Sequence, residues 1–128
     1  MEKNFVCGIL CFNNEKIIQK LIDDLNSSHE LSSIKKIFID DGSIDSTRKI
    51  LLSNNLEIIS HYKNLGYGCA VKSAFGYALK NKFEYLLIFP GDYQRSIEDL
   101  QLMTNLSKNN KFDLVSGSKF KKIKLLPT

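Results

Sequence analysis

Three aspartates and three hydroxyl side chains crowd the ten residues FIDDGSIDST, Phe38 to Thr47. The stretch overlaps IKKIF, an apolar-rich run that reads as a buried strand. Adjacent carboxylates at a strand end repel each other unless donors or a cation hold them. One of the pair Asp40 and Asp41 can face a ligand cleft and accept hydrogen bonds from a base or a ribose, while the other holds the loop. Gly42 permits a tight turn. Ser43, Asp45, Ser46 and Thr47 can satisfy the free N–H groups at the start of a following helix, which explains them without chemistry.

A second carboxylate, Asp92, stands in PGDYQRS after the run YLLIF. Pro90 and Gly91 are turn-formers. A lone hard oxygen ligand suits Mg²⁺, which takes one or two protein carboxylates and completes its shell with phosphate and water. The segment NLGYGCAVKSAF sets Gly66 and Gly68 before a helix, where backbone can approach a phosphate and the helix N-terminus favours an anion. It lacks the third glycine of a dinucleotide fingerprint and follows the third strand, so it is a weak Rossmann motif. Lys72 lies within reach of a phosphate held there. His29 and His61 have no metal-ligand spacing and receive no role.

These loops need strands and helices to hold them. NFVCGILCF, IKKIFID, LEIISHY, YLLIF and FDLVSGSKF read as five strands. Between them NNEKIIQKLIDDLNSS sets Ile17, Ile18, Leu21 and Leu25 on one helical face, with Asn13 or Asn14 as cap. DSTRKILLSNN, GCAVKSAFGYALKNK and SIEDLQLMTNLSKNN supply three more helices. The third carries Ala70, Ala74 and Ala78 at four-residue spacing; the last opens on Ser96 and Asp99 in the manner of a capping box. Alternating strands and helices predict an α/β domain with a mostly parallel sheet covered by helices on both faces. Ligands bind such sheets at the carboxyl ends of the strands, where the unusual loops converge.

The 128 residues fit one domain, and 43% apolar residues suffice for a core. The net charge of +4 suits a phosphate-bearing small molecule or an anionic membrane surface without requiring either. Much of the excess sits in SKFKKIKLLPT, which reads as a solvated basic tail. Cys7, Cys11 and Cys69 form neither a zinc pattern nor a disulfide framework. Cys7 and Cys11 stand about 13 Å apart on one strand, too far to bridge, so reduced buried thiols of a cytosolic protein are expected. Neither a signal peptide nor a membrane span is expected from the apolar runs. A signalling receiver domain would carry its acidic pair after the first strand and an aspartate after the third; here the pair follows the second and SHYKNLG has no aspartate.

In sequence order, CFNNEKIIQKLI, IDDGSIDST, NLGYGCAVKSAF, LLIFPGDYQRSIEDL and DLVSGSKF resemble the motifs of family-2 glycosyltransferases. They look most like the branch that includes dolichyl-phosphate mannosyltransferase and the bacterial polyprenyl-phosphate sugar transferases. IDDGSIDST, similar to the family's Val-Asp-Asp-Gly-Ser-x-Asp-x-Thr, is the most specific match. The resemblance implies the Rossmann-like GT-A fold, a nucleotide-diphospho-sugar donor and Mg²⁺ or Mn²⁺. It implies inverting transfer to a lipid phosphate or a glycan of the cell envelope, in the cytoplasm with peripheral contact to the inner membrane face and no nucleic-acid partner. By the same resemblance Leu10, Phe12 and Asn14 border the nucleotide, and Ile39 and Asp41 hold the base. Gly91, Asp92 and Gln94 belong to the turn that meets the diphosphate and metal, with Asp92 the metal ligand; Lys72 completes the donor set. Pro90 stands where the family has the first acid of Asp-x-Asp, Leu10 replaces a proline, Asn14 replaces a glutamate and Ala74 replaces a helix glycine. Residues 1–128 correspond to the donor-binding part, without the acceptor part. The alternative is a truncated nucleotide-sugar-binding fragment without catalysis.

Overall fold

The structure, a computed structural model, describes residues 4–92, 97–109, 112–117 and 123–127. Strands β1 (Phe5–Cys11), β2 (Lys35–Asp40), β3 (Ile58–Ser60) and β4 (Tyr85–Pro90) form one sheet in the order β3-β2-β1-β4. All its pairings are parallel. Helices α1 (Ile18–Ser27), α2 (His29–Ser32), α3 (Thr47–Ser53), α4 (Tyr67–Lys80) and α5 (Ile97–Asn109) fill the connections. The α/β class and the mostly parallel, doubly covered sheet are as the sequence predicts.

Alternation along each strand divides the core in two. Phe5, Cys7, Ile9 and Cys11 of β1, with Phe38, Leu87 and Phe89, face α1, α3 and α5 through Ile18, Leu21, Leu25, Leu51 and Leu100. Val6, Ile37, Ile39 and Leu86 face α4 alone, through Ala70, Ala74 and Ala78. The alanine seam lets α4 lie close to the sheet. A Cβ placed on Gly8 would stand 3.0 Å from the Ala74 Cβ.

Several expectations are corrected. The fifth strand does not extend the parallel sheet: β5 (Phe112–Gly117) pairs antiparallel with β6 (Ile123–Pro127). That sixth strand lies in the segment read as a basic tail. α1 starts at Ile18 after a turn, so Ile17 is half-buried at the cap position and Ile22 takes a place in the core. A one-turn helix not expected from the sequence, α2, opens at His29. Ser96 of the expected capping box lies outside the described residues.

The Gly8–Ala74 contact yields a stability test. Gly8→Ala should cost about 1–3 kcal/mol, the usual scale for overpacking a tight seam. Ala74→Gly should cost about 1 kcal/mol through helix propensity. In urea unfolding, the double variant should be more stable than the two losses added together, by about 0.5–2 kcal/mol. Strict additivity would mean that this contact does not set the spacing.

Candidate functional site

The chain runs outward from β1 to β2 and β3, then returns to β4 on the other side of β1. The loops after β1 and β4 therefore part at the sheet's switch point, the general ligand site of open α/β sheets. Backbone bonds continue the ladder past the strand ends: Gly91 N donates to Leu10 O (2.7 Å), Asp41 N to Cys11 O (2.9 Å) and His61 N to Asp40 O (2.9 Å). An open pocket of about 430 Å³ lies above them. Its walls are Leu10 and Cys11 at the end of β1 with Phe12 and Asn14 beyond it, Pro90 at the end of β4 with Asp92 beyond it, and Asp41 with Asn64, Gly66, Tyr67 and Ala70. This volume falls within the range of small-molecule sites.

The loop after β1 is sewn to the loop after β2. Asn13 N donates to Ser43 Oγ (2.9 Å), Asn14 N to Thr47 Oγ1 (2.7 Å) and Glu15 N to Asp45 Oδ2 (3.2 Å). In return Ile44 N donates to Asn13 Oδ1 (2.9 Å) and Ser46 N to Glu15 Oε2 (3.0 Å). The Asn14 side chain accepts from Phe12 N (2.7 Å). Neither asparagine side chain caps α1, whose first residues have no side-chain cap. Of the residues expected to cap α3, Asp45 accepts from Thr47 N at 2.9 Å, while Ser43 and Thr47 accept from the first loop.

The acidic pair divides its tasks. Asp40 is fully buried; Oδ1 accepts from Ser43 N (3.2 Å) and Oδ2 from Arg48 Nε (3.1 Å). It holds the loop. Asp41 reaches the pocket, but its carboxylate already takes four donors. Oδ1 accepts from Leu65 N (2.9 Å) and meets His61 Nδ1 at 2.8 Å; Oδ2 accepts from Gly66 N (2.9 Å) and Asn64 Nδ2 (3.1 Å). Burial alone would raise its pKa, yet the bonds from His61, Leu65 and Gly66 outweigh burial and hold it below the usual carboxylate range. Gly66 is the N-cap of α4, at φ 100°. The glycine-rich helix start that suggests a phosphate cradle thus already receives an anion, the protein's own Asp41.

Leu10, Phe12, Asn14, Asp41 and Asp92 come together in the pocket. Ile39 is wholly buried in the core beneath α4. Gly91 is buried behind the wall; a Cβ there would lie 2.8 Å from Leu10 O. Lys72 is exposed on α4 outside the lining. Gln94 lies outside the described residues. Sequence reasoning missed His61, Asn64 and Tyr67. The one available signal for His61 was its place at a strand's carboxyl end, level with Asp41. Cys7 and Cys11 are buried free thiols, and burial pushes Cys7 up to about 12 against the pull of Lys36. Cys69 is free and exposed, contrary to expectation. Among the described residues no helix is long and apolar enough to cross a membrane.

Asp45 is likewise held below the usual range, its burial outweighed by hydrogen bonds from Thr47 and Glu15. A carboxyl with a depressed native pKa stabilises the fold above its unfolded value, ordinarily 3.8. That stabilisation disappears as pH falls through the native value. The melting temperature should therefore drop steeply below about pH 4. Asp41→Asn should lower it at pH 7 and flatten the acid limb; a limb as steep as that of the wild type, followed by circular dichroism, would contradict this account.

The chain is 33% identical over 125 residues to the uncharacterised protein MJ0544 of Methanocaldococcus jannaschii, covering 91% of this chain and 53% of that protein. It is 26% identical over 108 residues to the uncharacterised MJ1222 of the same organism, covering 84% of this chain and 43% of that protein. The chain thus spans about half the length of these relatives. Among solved structures, S. aureus TarS aligns with a TM-score of 0.52 at 20% identity, over 80% of this chain and 19% of that one, a likeness of fold. The model of the family described as "Glycosyl transferase family 2" matches residues 7–124, from within β1 through β2, β3 and β4 and every loop of the pocket. The chain belongs to glycosyl transferase family 2.

Proposed function

We propose that the pocket is the donor site of a glycosyltransferase that binds a nucleotide-diphospho-sugar and passes the sugar, with inversion, to a polyprenyl phosphate or a cell-envelope glycan. The observation that carries this reading is the meeting, at the switch point of a family-2 sheet, of Phe12, Asn14, Asp41 and Asp92 in one open pocket. Leu10, Phe12 and Asn14 border the nucleotide, with Ile39 supporting that floor from the core. Asp41 governs the base or ribose side. Its four donors leave exchange of the exposed Asn64 amide as the route to direct contact. Gly91 keeps the β4 turn tight against Leu10; Gln94 and Lys72 are assigned to the diphosphate by the family resemblance alone.

Asp92 is the residue that would hold a cation. Pro90 beside it offers no side-chain oxygen, and no group of three histidine, cysteine or acidic side chains gathers among the described residues. Such a site fits an ion that draws its other ligands from a diphosphate and water. Mg²⁺ or Mn²⁺, when bound, supplies charge neutralisation for the departing diphosphate. A phosphate acceptor is already deprotonated and needs no protein base. In this reading residues 1–128 supply the donor part, at the cytoplasmic face of a membrane where the acceptor is a lipid phosphate. Pro90 favours a second reading, a donor-binding unit without turnover. Binding without transfer in an assay with nucleotide sugars and polyprenyl phosphate would select it.

Calorimetry with UDP and GDP tests the donor site. Either nucleotide should bind more tightly with Mg²⁺ than without, and Mg²⁺ alone should bind weakly. Asp92→Asn should abolish the Mg²⁺ enhancement, and Asp41→Ala should weaken nucleotide binding by about 1–3 kcal/mol. Absence of binding by every nucleoside diphosphate tested, with metal present, would refute the donor-site reading.

A further inference from the structure

The buried His61 has no task toward the ligand in the reading above. His61 is 9% exposed, and all its polar atoms are engaged. Its N–H donates to Asp40 O, and its carbonyl accepts from Arg48 Nη2 at 3.3 Å. Its ring spans two elements: Nδ1 lies 2.8 Å from Asp41 Oδ1, and Nε2 lies 2.7 Å from Ser73 Oγ. The Asp41 carboxylate is an acceptor, so Nδ1 carries the proton; in the neutral ring Nε2 accepts from the Ser73 hydroxyl.

The two partners belong to the same wall of the pocket. Asp41 holds Asn64, Leu65 and Gly66. Those three residues place no side chain in either core cluster: Asn64 and Leu65 are exposed and Gly66 has none. Ser73 lies on α4, one turn beyond Ala70 and two beyond Tyr67, both of which line the pocket. We propose that His61 is a positioning residue of the donor pocket: its ring clamps the Asp41 carboxylate that holds residues 64–66 and ties it to Ser73, so that this loop and α4 form one rigid wall.

The order Ser–His–Asp is also that of serine hydrolases. Here Asp41 gives its other lone pairs to the loop, and Ser73 sits mid-helix, where backbone N–H groups are spent on helical bonds and form no oxyanion hole. The clamp is therefore architectural toward the ligand rather than nucleophilic. Its role rests on the donor-site reading, and its geometry can be tested separately.

Two substitutions separate the arms of the clamp. His61→Asn keeps a side-chain N–H near the Nδ1 position and loses Ser73. His61→Gln reaches toward Ser73 and loses the short bond to Asp41. In the unliganded protein, amide hydrogen exchange at Leu65 and Gly66 should accelerate about tenfold or more in His61→Gln and much less in His61→Asn, the scale for losing a charged hydrogen bond. Nitrogen-15 spectra of the wild-type ring should show the proton on Nδ1. With UDP or GDP and Mg²⁺, the dissociation constant should rise about tenfold in His61→Gln and stay within about threefold in His61→Asn, at matched melting temperatures. A role in stability alone would move the two together. Equal exchange in the two variants, or a neutral ring protonated on Nε2, would overturn the proposal. If the variants do not fold, the ring spectrum and Ser73→Ala decide it: Ser73→Ala, which removes the same bond as His61→Asn, should weaken nucleotide binding by about twofold to threefold, and no change would count against the clamp. If the wild type binds neither nucleotide, the donor-site reading fails, while exchange at Leu65 and Gly66 still decides whether His61 positions the loop.

Discussion

The carboxylate of Asp41 is the fixed point of the site. Four donors converge on it, and all four come from the connection between β3 and α4. Each hydrogen bond to a charged group is worth about 1.5–3 kcal/mol, against a total domain stability of about 5–15 kcal/mol. The contributions are not additive, but their scale shows that this loop is held by charge, since it has almost no apolar anchor. The next residue makes the approach possible. Gly42 sits at φ +71°, and a Cβ there would come within 2.1 Å of the Lys63 carbonyl carbon. Backbone passes against backbone, and a side chain at this position would separate the two loops that Asp41 joins. One carboxylate and one missing side chain therefore set the distance between the loops that follow β2 and β3.

The same principle holds the other side of the pocket. The loops after β1 and β2 exchange five hydrogen bonds, running in both directions. Residues that serve elsewhere as helix caps are used here as ties between turns. The result is a chain of tethers from the loop after β1 to the loop after β2, and from there through Asp41 to α4. Loops that present ligand-binding groups must be polar, and polar loops cannot be fixed by burial. Reciprocal hydrogen bonding fixes them while leaving Phe12, Asn64 and Tyr67 exposed around the opening.

What the sequence makes legible is local. The four parallel strands show themselves as short apolar runs, because the sheet is covered on both faces, and their helices by period, because each buries one stripe. DDGSIDST announces a special turn because no ordinary turn needs two adjacent acids. The ties themselves are not legible. Asn13 looks like a cap because the partner of its side chain, Ile44 N, lies 31 residues away, and Asn14 because its side chain turns back to Phe12 N instead of forward to the helix. His61 looks idle because Asp41 is 20 residues before it and Ser73 is 12 after. Ile39 belongs to the strand that ends at the site, but its side chain faces the core beneath α4, which a motif alone does not reveal. The pairing of β5 with β6 escaped notice because lysines dominate the segment between them, and charge hides a short apolar strand.

Core packing and site geometry meet in α4. The three-helix face of the sheet is filled by large side chains, which have rotamer freedom to absorb small shifts. The α4 face rests on three alanines against Val6, Gly8 and Ile39, and these have almost no freedom to adjust. Its distance from the sheet is therefore fixed by backbone and Cβ atoms rather than by flexible side chains. Ala70 lines the pocket, Ala74 meets Gly8, and Ser73 between them reaches the His61 ring. A helix lifted by the width of a methyl group would carry Ser73 out of hydrogen-bonding range and move Tyr67 and Ala70 with it. The small-residue seam in the middle of the domain thus determines whether the wall at its edge can be assembled.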